Sequence, residues 1–159
     1  MADQTHTIGA SSEAGNAARF DVLPPALHEV MPRLYEGPYV AVGLTSAGPF
    51  LCEGRPGQRT FVLSRDANAR LPLELSDLEL CTDAEALARR FVDDDAELVV
   101  VGGKAIFSLF LPYARKIDIA ETDVAVPGDV VFSAWADGCF VEDTSERWAG
   151  GRTRHLVRR

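Results

Sequence analysis

The stretch Glu97-Leu98-Val99-Val100-Val101-Gly102-Gly103 constrains this chain more than any other. Its apolar residues are continuous rather than alternating. Such a run fits a strand buried on both sides, as in a parallel sheet covered by helices on each face. KAIFSLFLPYA (104–114) reads as a helix that starts at the two glycines. A strand running through Gly-Gly into a helix gathers backbone N–H groups and the positive helix end at one point, which can hold a phosphate or pyrophosphate. The same pair also suits an ordinary tight strand-to-helix turn, so both readings stand at this level.

The rest of the chain alternates strand and helix patterns. LPPALHEVMPRL (23–34) reads as a short helix with Leu27, Val30, Met31 and Leu34 on one face, ended or kinked near Pro32. YVAVGL (39–44) and TFVLS (60–64) read as buried strands. Thr82 and Glu85 form a capping box that opens a helix over 83–92. KIDIAE (116–121), DVVFSAW (129–135), CFVED (139–143) and RHLVRR (154–159) read as later strands. This order predicts one α/β domain over 1–159, a mostly parallel central sheet flanked by helices with antiparallel strands at the C-terminal end. VLSRD (62–66) sets Ser64 and Arg65 just past a strand end, where α/β sheets bind ligands. Ser64 can cap a phosphate, and Arg65 can pair with one or stack on a base.

Composition bounds the partners. The net charge of −8 argues against a general nucleic-acid binder, which needs a basic surface. No apolar run approaches a membrane span. The first residues lack the basic and apolar parts of a secretory signal, so a cytoplasmic protein is expected. Three scattered cysteines read as free thiols, and the three histidines show no metal-ligand spacing. A small-molecule ligand is the remaining expectation, with a monomer or homodimer left open.

LPPAL, the strand after Gly-Pro, RPGQRTFVLSRD, VVVGGKAIFSLFLPYARKIDIAETD, PGDVVF and RHLVRR occur in the order found in dihydrofolate reductase, and from residue 23 onward the chain resembles that family. The resemblance implies an NADPH site. Gly102 and Gly103, followed by the amides of Lys104, Ala105 and Ile106, would lie over the pyrophosphate. Ser64 and Arg65 would lie beside the adenosine 2′-phosphate. The family's Gly-Arg-x-Thr is here Gly43-Leu44-Thr45, so Thr45 is kept and an arginine is missing.

The substrate side departs further from the family pattern. The helix carboxylate that binds and helps protonate the pterin is replaced by Ala26. Its supporting threonine is Ala120, the helix tyrosine is Phe107, and the arginine that clamps the folate tail is Gln58. Leu27 and Val30 keep the pocket apolar. A pterin left without partners would strand buried polar atoms at roughly 1–3 kcal/mol each. The pocket is therefore expected to prefer a less polar ligand.

Residues 1–22 match weakly. Counted back without gaps, Gln4–Ile8 would be the family's first, central strand, 11–20 its active-site loop, and Asp21 would replace a tryptophan. The alternative register puts Ile8-Gly9 in the loop. In the first register His6 and Asp21 become candidate acid/base groups, and both can equally be solvent-exposed. Three functions follow. The first is an NADPH-dependent reductase of a small, non-folate substrate. The second is a redox-independent cyclase, isomerase or eliminating enzyme in the same cleft. The third is a non-catalytic binding or partner protein. True dihydrofolate reduction would need another carboxylate, such as Glu29.

Overall fold

The structure is a computed structural model that describes residues 5–10, 25–34, 36–45, 47, 57–71, 77–94, 96–123, 132 and 134–159. The described strands are β1 (Thr5–Ala10), β2 (Tyr39–Gly43), β3 (Arg59–Leu63), β4 (Leu78–Cys81), β5 (Leu98–Gly102), β6 (Lys116–Thr122), β7 (Phe140–Trp148) and β8 (Gly151–Arg158). The described helices are α1 (Pro25–Leu34), α2 (Ala84–Asp93) and α3 (Lys104–Phe110). The strands form one sheet in the order β4-β3-β2-β5-β1-β6-β8-β7. Every pairing from β4 to β6 is parallel, and β8 is antiparallel to both β6 and β7.

The valine run becomes β5, buried at all of its positions between β2 and β1. Alternation sends Val99 and Val101 to one face, where they pack with Leu34 of α1, Val40, Val42 and Ala120. Leu98 and Val100 go to the other face, against Leu87, Ala88 and Phe91 of α2 and Phe107 and Phe110 of α3. A third cluster joins Ile117, Ile119, Phe140 and Leu156 at the C-terminal corner.

The expected first strand is present but runs two residues further, through Ile8 and Gly9 to Ala10. This excludes the register that leaves Ile8-Gly9 in a loop. Helix α1 continues past Pro32 to Leu34, although that proline removes the hydrogen bond its N–H would have made one turn back. The cap of α2 is Asp83 rather than Thr82: its carboxylate accepts from the Ala86 N–H at 2.9 Å, a charged acceptor one residue later. The helix after the glycines stops at Phe110 and tightens into a 3-10 turn over Leu111–Tyr113, which contains Pro112.

The strand expected over 129–135 is not found where the chain is described. Ala134–Ala136 is a 3-10 turn, and Trp135 there donates to the Phe132 carbonyl at 3.0 Å. Strand β7 extends to Trp148, well past the expected 139–143, with a bulge between Glu142 and Thr144. Its exposed polar residues carry no strand pattern, and pairing with β8 decides their conformation. The short strand β4 was not anticipated. Asp21 and the loop 11–20 lie outside the described residues.

Candidate functional site

The C-terminal ends of β2 and β5 meet the start of α3. Here β2 and β5 change register, so that Val42 sits opposite Gly102. Gly102 has φ +116°, a region that side chains disfavour, and the Gly102–Gly103 peptide is cis. A Cβ on Gly102 would meet two atoms of the Phe107 ring at 3.0 Å. A Cβ on Gly43 would meet Ile106 Cγ1 at 3.0 Å and the Gly102 carbonyl oxygen at 3.4 Å. Gly43 and Gly102 thus let the backbone pack closely against Ile106 and Phe107, where a side chain would not fit. Gly103 caps α3 without a side-chain hydrogen bond.

Cations stand at the rim. Lys104 begins α3 and is exposed, as is Arg65 beyond β3. Ser64 Oγ accepts from the Asp66 N–H at 3.1 Å, and Asp66 accepts from the Asn68 N–H at 2.9 Å, which folds the 64–68 turn. Thr45 is exposed just past β2. Ser64, Arg65, Thr45 and the glycine turn therefore lie past the C-terminal ends of β3, β2 and β5, along one edge of the sheet. Ala105 is exposed and Ile106 half-buried on the first turn of α3.

The residues assigned to the substrate pocket do not all come together. Val30 and Ala120 share the core on the α1 face. Phe107 belongs to the core on the other face, its ring 5.3 Å from that of Phe132 and tilted 36° to it, because α3 packs beside α2 rather than α1. Ala26 and Leu27 lie in α1, but their side chains are outside the described residues. Gln58 donates to the Gly37 carbonyl at 2.9 Å and so ties the start of β3 to the turn before β2. Glu29 is exposed.

Strand register also places His6. It lies level with Val99 and Lys116, while Gly9 and Ala10 lie level with Ile119 and Ala120. His6 is four residues before Ala10, or about 13 Å at strand rise, toward the end of the sheet away from the glycines. Sequence reasoning overlooked a different pair on this sheet. His155 Nδ1 is 2.6 Å from Asp118 Oδ1, across β6 and β8. The available signal was Asp118 itself, a carboxylate between two isoleucines in a buried strand.

A family model of dihydrofolate reductase matches residues 51–154. The chain belongs to the dihydrofolate reductase family. Among its relatives, the dihydrofolate reductase of Staphylococcus haemolyticus is 30% identical over 77 residues, 48% of this chain and 43% of that one. The enzyme of Neisseria meningitidis serogroup B is 31% identical over 112 residues, 63% of this chain and 60% of that one. The chain therefore spans less than two thirds of the length of these relatives. A solved dihydrofolate reductase from Enterococcus faecalis, complexed with NADP(H) and RAB-propyl, shares the fold with a TM-score of 0.80 over 98% of this chain and 96% of that one, at 12% identity. Within the described residues, no helix of this family member is long and apolar enough to cross a membrane.

Proposed function

We propose that this family member is an NADPH-dependent reductase whose substrate is small and less polar than dihydrofolate. The observation that carries the reading is the glycine turn where β2 and β5 meet α3: Gly43 and Gly102 let the backbone close up around the start of that helix, where a Cβ would meet Ile106 or Phe107. A dinucleotide pyrophosphate needs close backbone approach of this kind. Lys104 and Arg65 would supply positive charge to its phosphates, with Ser64 and Thr45 as hydroxyl partners. Among the described residues neither cation is engaged in an ion pair. When bound, the cofactor supplies the hydride; the chain's part is to hold it against the substrate.

The substrate preference rests on what the cleft lacks. Ala26 and Ala120 stand where the family pattern has an acid and a threonine, and Val30 and Ala120 pack in an apolar cluster. A ligand rich in hydrogen-bonding groups would lose partners there. The test is a titration of the purified chain with NADPH, following nicotinamide fluorescence, with NADH and dihydrofolate turnover alongside. Tight NADPH binding with little dihydrofolate turnover is expected. No binding at near-millimolar NADPH would overturn the reading in favour of a redox-independent or binding role.

A further inference from the structure

Reduction of a double bond by a nicotinamide needs one proton per hydride. The position that supplies it in the family pattern is Ala26 here. Among the described residues, the acid/base groups on the α1 face of the sheet beside Ala120 are on β6 and β8 rather than on a helix. Ile117 and Ile119 pack into the C-terminal cluster, so Asp118 and Ala120 project to the opposite face, where Ala120 joins Val30 and Leu34. Asp118 lies one strand step of two residues, about 7 Å, from Ala120.

Asp118 is 16% exposed and His155 36% exposed, and their 2.6 Å contact pairs a carboxylate that would otherwise be costly to bury. Nδ1 faces the carboxylate, which fixes the imidazole and leaves Nε2 as the working nitrogen. Among the described residues Asp118 is the only hydrogen-bond partner of this ring. Cross-strand from Ala120 is Thr153, 4% exposed, whose Oγ accepts from Trp148 Nε1 at 3.2 Å. A hydroxyl and an imidazole–carboxylate pair therefore flank the position where a threonine was lost. Among the described residues, the other titratable groups of this neighbourhood are His6 of β1, level with Lys116 by backbone register, Lys116 itself at the start of β6, Glu146 on β7 opposite Thr153, and the exposed Glu29 and Arg33 of α1.

The geometry points to the Asp118–His155 pair as the proton source of the cleft, acting on a substrate with a C=N or conjugated C=C bond. This rests on the reductase reading. A hydride adds to one atom of the double bond and oxidises the nicotinamide. The proton on His155 Nε2 passes to the neighbouring atom, directly or through one water, and is regained from solvent. Asp118 stays ionised throughout and holds the imidazolium.

The test uses the full chain with NADPH and 3,4-dihydroisoquinoline as a small, apolar C=N probe. It follows NADPH oxidation together with the ring resonances of ¹⁵N-labelled histidine, those of His155 being the ones lost in His155→Gln. Expected are a rate about 100-fold lower in both His155→Gln and Asp118→Asn, NADPH affinity unchanged, and recovery of the rate when Ala26→Asp is added to either variant. The probe is also expected to shift the His155 resonances. The inference is overturned if the variants keep the wild-type rate. It is equally overturned if Ala26→Asp fails to restore a lost rate, since the pair then only holds β6 to β8. Where the wild type turns over no probe, the resonances decide: unmoved His155 signals in NADPH-saturated protein remove the pair from the cleft. Where NADPH itself does not bind, the reductase reading fails, and the shift on adding the probe alone still decides whether the pair faces a ligand.

Discussion

Two regions of this sheet are stabilised in opposite ways. Where β2 and β5 meet α3, close contact is achieved by leaving side chains out: Gly43, Gly102 and Gly103 let backbone approach backbone and Ile106. At the C-terminal corner, β6, β7 and β8 are joined by side chains that reach across strands. Arg154, 19% exposed, pairs with Glu121 at 3.0 Å and Glu142 at 2.5 Å and lies 5.5 Å from the Trp135 ring. Arg152 adds a second contact to Glu121 at 2.7 Å, and Arg147 bonds both oxygens of Asp123 at 2.9–3.0 Å. The first region is held by backbone packed tightly against backbone and against the side chains of Ile106 and Phe107. The second engages its arginines with its own carboxylates, and His155 with Asp118.

One residue breaks this division and gives the largest expected effect. Gly151 belongs to the charged corner, yet a Cβ there would lie 2.2 Å from the Glu121 carbonyl oxygen and 2.4 Å from the Trp148 ring. Gly151→Ala should destabilise the chain by about 3 kcal/mol, read by denaturant unfolding. A loss under about 1 kcal/mol would mean that this corner adjusts more freely than its packing implies. Gly43→Ala is the matching change at the other region. The Ile106 side chain must move by a few tenths of an ångström, so stability should fall by only about 1 kcal/mol while NADPH affinity falls about ten-fold. Equal effects on stability and affinity would erase the contrast between the two regions.

The charged corner should also respond to acid. Burial raises the Glu121 carboxyl, but hydrogen bonds from Arg152 and Arg154 outweigh it and hold the group below the ordinary glutamate range. A carboxylate lowered on folding contributes stability that is fully present above its unfolded pKa and is lost as pH falls through its folded value. Glu121→Gln should therefore lower stability at neutral pH and flatten the acid limb of a stability–pH curve. An unchanged acid limb would show that Glu121 carries none of it. The smallest effect is expected at Arg147→Ala, where both partners are half-exposed or more: under about 1 kcal/mol, and less in high salt. A larger loss in thermal unfolding would mean that the exposed end of β7 matters more to the corner than its solvation implies.

The glycine cradle was legible because it has a linear signature: a valine run, two glycines and a helix, with Ser64 and Arg65 following another apolar strand. Each of those patterns is local. The Asp118–His155 pair was not legible, because its members are far apart in sequence and meet only when β8 returns antiparallel to β6. The same return decided β7, whose exposed polar stretch has no intrinsic reason to be a strand, while the packing of α3 beside α2 put Phe107 on the opposite face of the sheet from Val30 and Ala120.

By itself the sequence determined the class of fold, the burial of β5 and the position of the cradle, since hydrophobic period and glycine chemistry act over neighbouring residues. Only the tertiary structure decided that β1 sits between β5 and β6, that His6 is level with Lys116 rather than Ala120, and that an imidazole stands one strand away from Ala120, where the family pattern has a threonine. Those are questions of strand order and register, and they are settled by backbone hydrogen bonds between segments that the sequence keeps apart.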